Sequence, residues 1–202
     1  MIELRRASRK AVEYACKYFH YAKATPAVTH AYNVYENGEW CGCIVYSSGA
    51  TPNIGTPFGL VQGEILELVR VALNGKQTTT SECVAASLRQ LHKDAPQIKM
   101  VVSFADIDQN HFGTIYQATN WLYLGDNLCG ERGAFIVHGK KMHPKSVHSK
   151  GWRQSLQWLR DNVDPNAQEY ITQGKRKYIF VFDKRMRKKW AEKSRPYPKK
   201  EL

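Results

Sequence analysis

The chain has 202 residues with 43% hydrophobic and 11% aromatic content, which suits one domain of mixed class with a buried core and excludes a disordered chain. Its formal net charge of +12 is uneven: residues 1–138 carry 12 Lys+Arg and 12 Asp+Glu, and residues 139–202 carry 18 and 6. No run approaches the ~18 apolar residues of a membrane span, and five cysteines without a Cys-x-x-Cys pair fit a reduced cytoplasmic protein with free thiols.

The opening, MIELRRASRKAVEYACKYF, alternates apolar residues with charges and is not a signal peptide. Residues 7–19 predict an amphipathic helix with Val12, Ala15, Cys16 and Phe19 on one face. HAYNVYENGEWCGCIVYSS predicts a hairpin turned at Asn37-Gly38. The Pro/Gly-rich loop GATPNIGTPFG leads to the strand EILELVRVAL, on which strict alternation puts Glu67 and Arg70 on opposite faces. Ser81 or Thr80 then caps a helix whose inward positions are Cys83, Val84, Ser87, Leu88 and Leu91. MVVSFAD is a strand covered on both faces.

In DQNHFGTIYQATNWLYLG, residues 111–119 predict a short helix and WLYLG a strand, with Phe104 and Trp40 expected nearby. GAFIVHGKKM and KYIFVFDK predict further strands, with the helix GWRQSLQWLRDN between them and a loose tail, AEKSRPYPKKEL, after them.

The charge asymmetry points to an anionic partner, most simply nucleic acid, because the late basic residues alternate with Trp, Tyr and Phe. Asp106 ends a buried strand, where ligands of open sheets bind, but a turn aspartate fits there too, Asp108 being the better turn candidate. Tyr116 suits a general acid or a core tyrosine, and His20-Tyr21 carries the same two readings. Structural zinc is disfavoured because Cys41-x-Cys43 has no second pair, whereas a catalytic metal on scattered His and Asp stays open.

His20-Tyr21, NGEWCGCIVY, PNIGTPFGL, ELVRVAL, the Ser-Glu helix start, VVSFAD and GTIYQATNWLYLG together resemble the phage Mom DNA-modification proteins. The likeness runs from about residue 17 to 126, and GKRKYIFVFDK extends it to about 184. It implies an α/β fold of the GCN5-related N-acetyltransferase type, a central mixed sheet flanked by helices and splayed around an acyl-CoA groove. It further implies an anti-restriction enzyme of a phage or prophage in its bacterial host. Such an enzyme adds a carbamoylmethyl (acetamido) group to the exocyclic amine of adenine in double-stranded DNA.

On this resemblance residues 1–138 form the catalytic body. Residues 139–202 complete the same domain and supply the DNA-binding surface. Arg70, Asp106 and Tyr116 match residues implicated in activity, and His20, Tyr21 and Ser81 match weaker positions. The superfamily's Gln/Arg-x-x-Gly-x-Gly/Ala pyrophosphate loop is replaced by NGKQTTTSEC, so Thr79, Thr80 and Ser81, with Arg70, are the candidates for holding acetyl-CoA or another acyl donor. Asn120 joins His20 and Tyr21 on the substrate side, and Lys175, Arg176 and Lys177 are candidate phosphate contacts.

The adenine must be extruded from the duplex to react, and Tyr21, Trp40, Tyr116 or Trp121 can stack on it. Asp106 then orients or deprotonates the amine, Tyr116 supplies a proton and Arg70 holds an anionic donor. The carbamoylmethyl linkage calls for another donor or an added step, with a metal such as iron as a candidate. The oligomeric state is open, a homodimer being compatible with the sequence. Two rivals remain: an acyl-CoA-dependent N-acetyltransferase acting on a protein or small amine, and a DNA-binding module on an inactive catalytic fold.

Overall fold

The structure, a computed structural model, describes residues 1–127 and 134–199; Cys129, Gly133 and the last three residues lie outside the described residues. The chain forms two compact units. The first comprises Met1–Ala105, Phe112–Gly125 and the portion from Arg176 onward; the second comprises Asp106–His111 and Asp126–Lys175. No helix among the described residues is long and apolar enough to cross a membrane.

The first unit is built on a seven-stranded sheet ordered β1-β2-β3-β4-β5-β10-β6. Its strands are β1 (Ile2–Arg6), β2 (His30–Glu36), β3 (Glu39–Ser47), β4 (Ile65–Leu73), β5 (Met100–Asp106), β6 (Leu122–Asn127) and β10 (Lys175–Val181). The β2–β3 hairpin turns at Asn37-Gly38, both at positive φ, as a two-residue turn of this type requires. β1 is an edge strand pairing with β2, and its charged residues hide it from a hydrophobicity reading.

Helix α1 (Arg9–Phe19) starts on Ser8, whose hydroxyl accepts from the Ala11 amide, and packs Val12, Ala15 and Cys16 on Cys43, Val45 and Ala72. Helix α2 (Thr80–Asp94) packs Cys83, Val84, Leu88 and Leu91 on the opposite face, against Tyr32, Ile44 and Leu66. Its cap residue is Thr79 and no side chain bonds there, so the expected Thr80 or Ser81 cap is displaced by one or two residues. The short α3 (Thr114–Ala118) adds Tyr116 to the α2 side, and Trp190 and Met186 of α6 (Lys184–Ala191) pack with Ile65, Met100 and Val102 on the other side.

Two irregularities open the centre of the sheet. Opposite Val45 and Tyr46, β4 carries one extra residue: Tyr46 pairs with Leu68 and Val45 with Arg70, so Val69 bulges. Beyond it the alternation resets. Leu66, Leu68, Val71 and Leu73 all face α2, and Arg70 falls on the α1 side with Ala72. Glu67, alternating with Leu66 and Leu68, lies on that same side; the expectation that Glu67 and Arg70 face apart is corrected by the bulge. Second, the parallel pairing of β4 and β5 ends at Glu67–Val102. One residue later the buried Ser103 hydroxyl donates to the Leu68 carbonyl at 2.8 Å, bridging the strands where the backbone ladder stops.

The second unit has a three-stranded sheet ordered β8-β7-β9, from β7 (Ala134–Val137), β8 (Lys140–Met142) and β9 (Gln168–Tyr170). The single strand expected over GAFIVHGKKM is thus a hairpin. His138 and Gly139 both take positive φ, and Asp164 fixes the turn by accepting the His138 amide at 2.6 Å. Helices α4 (Pro144–Ser149) and α5 (Leu156–Asn162) cover it through Val147 and Leu159. The expected helix from Trp152 begins only after Ser155, whose hydroxyl accepts from the Trp158 amide.

The chain end is pinned rather than loose as far as it is described. The Arg195 amide donates to the Tyr123 carbonyl at 2.8 Å, and the Tyr197 hydroxyl to the Trp121 carbonyl at 2.6 Å.

Ser103→Ala leaves the Leu68 carbonyl and the Tyr116 hydroxyl without their partner, and should lower unfolding free energy by about 1–3 kcal/mol in a urea titration with an unchanged slope. Gly113 sits at φ +71 with space for a Cβ only 2.4–2.7 Å from Tyr178 ring atoms. Gly113→Ala should therefore cost about 1–3 kcal/mol by the same measurement.

Candidate active site where two central strands part

Arg70 lies at the bulge, partly buried, with its guanidinium donating to the Val69 carbonyl at 2.7 Å and the Ala24 carbonyl at 3.3 Å. None of the ion pairs among the described residues includes it. Two neutral acceptors fix the guanidinium through two of its nitrogens, and its remaining N–H groups can hold an anion.

Tyr116 enters from α3, 8% exposed, with its hydroxyl 2.8 Å from Ser103 Oγ. Ser103 has one proton, and the Leu68 carbonyl can only accept it, so the tyrosine donates to the serine. Burial above all, opposed by the Ser103 bond and aided by the nearby Tyr21, Tyr178 and Glu67, leaves the Tyr116 phenol pushed up to about 12. The structure thus brings Tyr21 and Glu67 into the electrostatic surroundings of Tyr116. Tyr21 is 54% exposed and stacks on His20 at 4.4 Å; His20 Nδ1 accepts from the Ala22 amide at 3.1 Å, closing the turn after α1.

These burials sort the four rings expected to stack on a base. Trp121 is fully buried against Tyr116 and Phe180, and Tyr116 is closed into the core. Trp40 packs on Tyr14 and Phe19 of α1 rather than beside the Asp108–Gly125 stretch. Tyr21 is the exposed ring near Tyr116.

At the start of α2, the Glu36 carboxylate takes the Thr78 amide at 2.6 Å and the Thr78 hydroxyl at 2.8 Å. These bonds, the amide first, hold the Glu36 carboxyl below its usual range. The Thr80 hydroxyl accepts from Gln77 at 3.0 Å. Thr79, Thr80 and Ser81 stand at the N-terminal turn of a helix of 15 residues, where amides and dipole favour an anion, with Glu36 and Glu82 opposing it.

Asp106 belongs to the second unit. It caps the turn Ile107–Gln109 by accepting the Asp108 amide at 3.0 Å. Asp108 is clamped instead by the Tyr170 hydroxyl and by the Gln173 amide at 3.3 Å. Asp106 is therefore the turn aspartate, reversing the preference for Asp108.

Asn120 takes a left-handed conformation, φ 64, between α3 and β6, and its carbonyl accepts from Arg187 at 2.7 Å. Of the basic triplet, Lys175 is exposed. Arg176 lies partly buried with its guanidinium 4.5 Å above Phe112, and Lys177 lies 4.7 Å above Phe58. Among the described residues no group of three His, Cys, Asp or Glu is placed to hold a metal ion. Ser103 and Glu36 are the site residues missed from sequence; a serine inside the apolar MVVSFAD was the readable signal, since a buried hydroxyl needs a partner.

No curated protein matches the sequence. Among solved structures, the aminoglycoside acetyltransferase AAC(6')-Ib in complex with coenzyme A superposes with a TM-score of 0.52 at 9% identity, over 94% of this chain and 98% of that one. Also similar are a putative phosphinothricin N-acetyltransferase (TM-score 0.48, 11% identity, 91% and 100% covered) and a probable acetyltransferase from Staphylococcus epidermidis ATCC 12228 (0.49, 9%, 91% and 100%). The fold is that of the GCN5-related N-acetyltransferases, and the mixed sheet parting between β4 and β5 agrees with it. The model of the Mom protein family matches residues 1–199, and the chain belongs to that family.

Proposed function

We propose that this protein is a transferase that places a carbamoylmethyl group on the exocyclic amine of adenine in double-stranded DNA and so shields that DNA from restriction enzymes. Membership of the Mom family along nearly the whole chain carries this reading. The geometry supports it through an Arg70 guanidinium fixed by two backbone carbonyls where β4 bulges, and through an exposed Tyr21 in the electrostatic surroundings of Tyr116.

The adenine amine is hidden inside a duplex, so the base leaves the stack. Tyr21 offers its ring to that base, with His20 stacked behind it. Arg70 holds the anionic part of the donor. The coenzyme A bound by the aminoglycoside acetyltransferase of like fold makes an acyl-CoA one candidate donor. Thr79, Thr80 and Ser81 then face its phosphates.

Tyr116 stays protonated near neutral pH, its phenol being pushed up to about 12, and its hydroxyl bond to Ser103 holds the parted strands in the shape the site needs. Asp106 orients the amine and takes its proton. In the product N6 is bonded to a methylene carbon. Attack on the thioester carbonyl of a plain acyl-CoA would leave an amide at N6 instead, so the donor must present a methylene bearing a leaving group, which departs with the electron pair of its bond to that carbon as the N6–CH2 bond forms.

Co-expression with a plasmid, digestion to nucleosides and mass spectrometry tests the assignment. Deoxyadenosine carrying a carbamoylmethyl group in place of one hydrogen on N6 is expected. Acetyl-CoA turnover on an amine without DNA would favour an ordinary N-acetyltransferase, and DNA binding with unaltered nucleosides an inactive fold.

Arg70→Ala, Tyr116→Phe and Asp106→Asn should each lower the modified fraction by about 10²-fold or more, with circular dichroism and gel shift retained. Parallel loss of DNA binding would show that these residues are structural.

A further inference from the structure

Basic residues by themselves do not make a docking face; their freedom from other partners does. Of the strand triplet 175–177, Arg176 and Lys177 already lie over aromatic rings, and both are only partly exposed. Helix α6 differs. Between Lys184 and Lys193 the chain carries six cations and one carboxylate. Lys184, Arg185, Lys188 and Lys189 are exposed, and none takes part in an ion pair among the described residues. Residues four apart share a side of a helix, so the pairs Lys184/Lys188 and Arg185/Lys189 each stack one turn apart, roughly 6 Å along the axis.

The helix holding them is firmly seated. Asp183 caps it by accepting the Met186 amide at 2.7 Å, and Trp190 meets the Phe58 ring edge-on at 4.9 Å. Arg187 donates to the Asn120 carbonyl at 2.7 Å. Asn120 in turn donates its amide to the Gln117 carbonyl at 3.1 Å, in the turn that ends α3, the helix carrying Tyr116. Cations displayed on α6 are therefore tied by a short covalent and hydrogen-bonded path to the candidate site.

We infer that the exposed face of α6, with Lys184, Arg185, Lys188 and Lys189, is the surface on which duplex DNA rests its phosphate backbone. The inference rests on DNA being the substrate. The face carries no aromatic or apolar side chain to read or unstack bases, which fits phosphate contact without sequence preference. A membrane surface fits poorly, because an interfacial helix needs a free apolar side, and Met186 and Trp190 are committed to the core.

The test uses the full chain and a short labelled duplex, with binding read by fluorescence anisotropy across a salt series. Lys184→Gln/Arg185→Gln/Lys188→Gln/Lys189→Gln is compared with a charge-matched control, Lys10→Gln/Lys17→Gln/Arg89→Gln/Lys93→Gln, also at exposed positions. The slope of log affinity against log salt should shrink by about 0.9 for each phosphate the protein no longer neutralises, hence by about 2–4 in the α6 variant. It should stay at the parental value in the control.

An unchanged slope in the α6 variant, an equal fall in the control, or binding to phosphatidylserine vesicles in preference to the duplex would each overturn the inference. Should the quadruple variant unfold, Lys184→Gln/Lys188→Gln gives the same reading with about half the fall. Nucleoside analysis of a co-expressed plasmid separates the two claims. Unaltered adenosine with the parental protein, beside the expected slopes, removes the modification chemistry and leaves the docking face. Modified adenosine with unchanged slopes does the reverse.

Discussion

One serine hydroxyl holds the centre of this fold together. β4 and β5 run parallel for three paired residues and then separate. A parting in a central sheet exposes backbone carbonyls that must find other donors. Ser103 gives its single proton to the Leu68 carbonyl and accepts the Tyr116 hydroxyl, so one side chain closes the gap between two strands and fastens α3 beneath it. The Val69 bulge on the other flank of β4 turns Arg70 towards α1 at almost the same level. The open sheet, the anchored tyrosine and the fixed guanidinium are three consequences of the same local break in regular pairing.

This arrangement limits what Tyr116 can do. A phenol buried in the core and raised to about 12 is a poor acid at neutral pH, but it is a dependable neutral donor. Its proton points at Ser103, so transfer to a reacting group would first require that bond to exchange. The direct role open to it is polar support of the parted strands, with the solvent-facing chemistry left to Arg70 and Tyr21. Loss of the hydroxyl would therefore act on activity through the geometry of the gap as well as through any proton.

Much of the architecture was legible from local chemistry. Asn37-Gly38 fixed a hairpin, spaced apolar residues marked α1 and α2, and MVVSFAD read as a strand covered on both faces. The failures have physical causes. β1 is an edge strand whose charges mask its period. The β7–β8 turn uses His138-Gly139, where a histidine takes the left-handed conformation usually given to asparagine. Alternation misplaced Glu67 relative to Arg70 because a bulge inserts a residue without any glycine or proline to announce it. The chain end looked loose because its contacts are single hydrogen bonds from Arg195 and Tyr197 to carbonyls of β6 and its approach, which no local pattern encodes. Among the site residues, Arg70 and Tyr116 were found through the family resemblance, not through periodicity.

The excess positive charge shows the same gap between composition and structure. The sequence locates it after residue 138, yet composition treats Arg176 and Lys188 alike. In the fold, Arg176 spends its guanidinium over Phe112, whereas Lys188 stands on an exposed helix face. Only charge still in water has counterions to exchange with a polyanion, and the strength of that exchange scales with the number of phosphates reached. Strand residues alternate between faces, so three consecutive cations on β10 cannot all face one partner. A helix of eight residues with cations four apart can present four to the same side, and its seat on the Phe58 ring and the Asn120 carbonyl keeps them in register with the body that carries Arg70 and Tyr116.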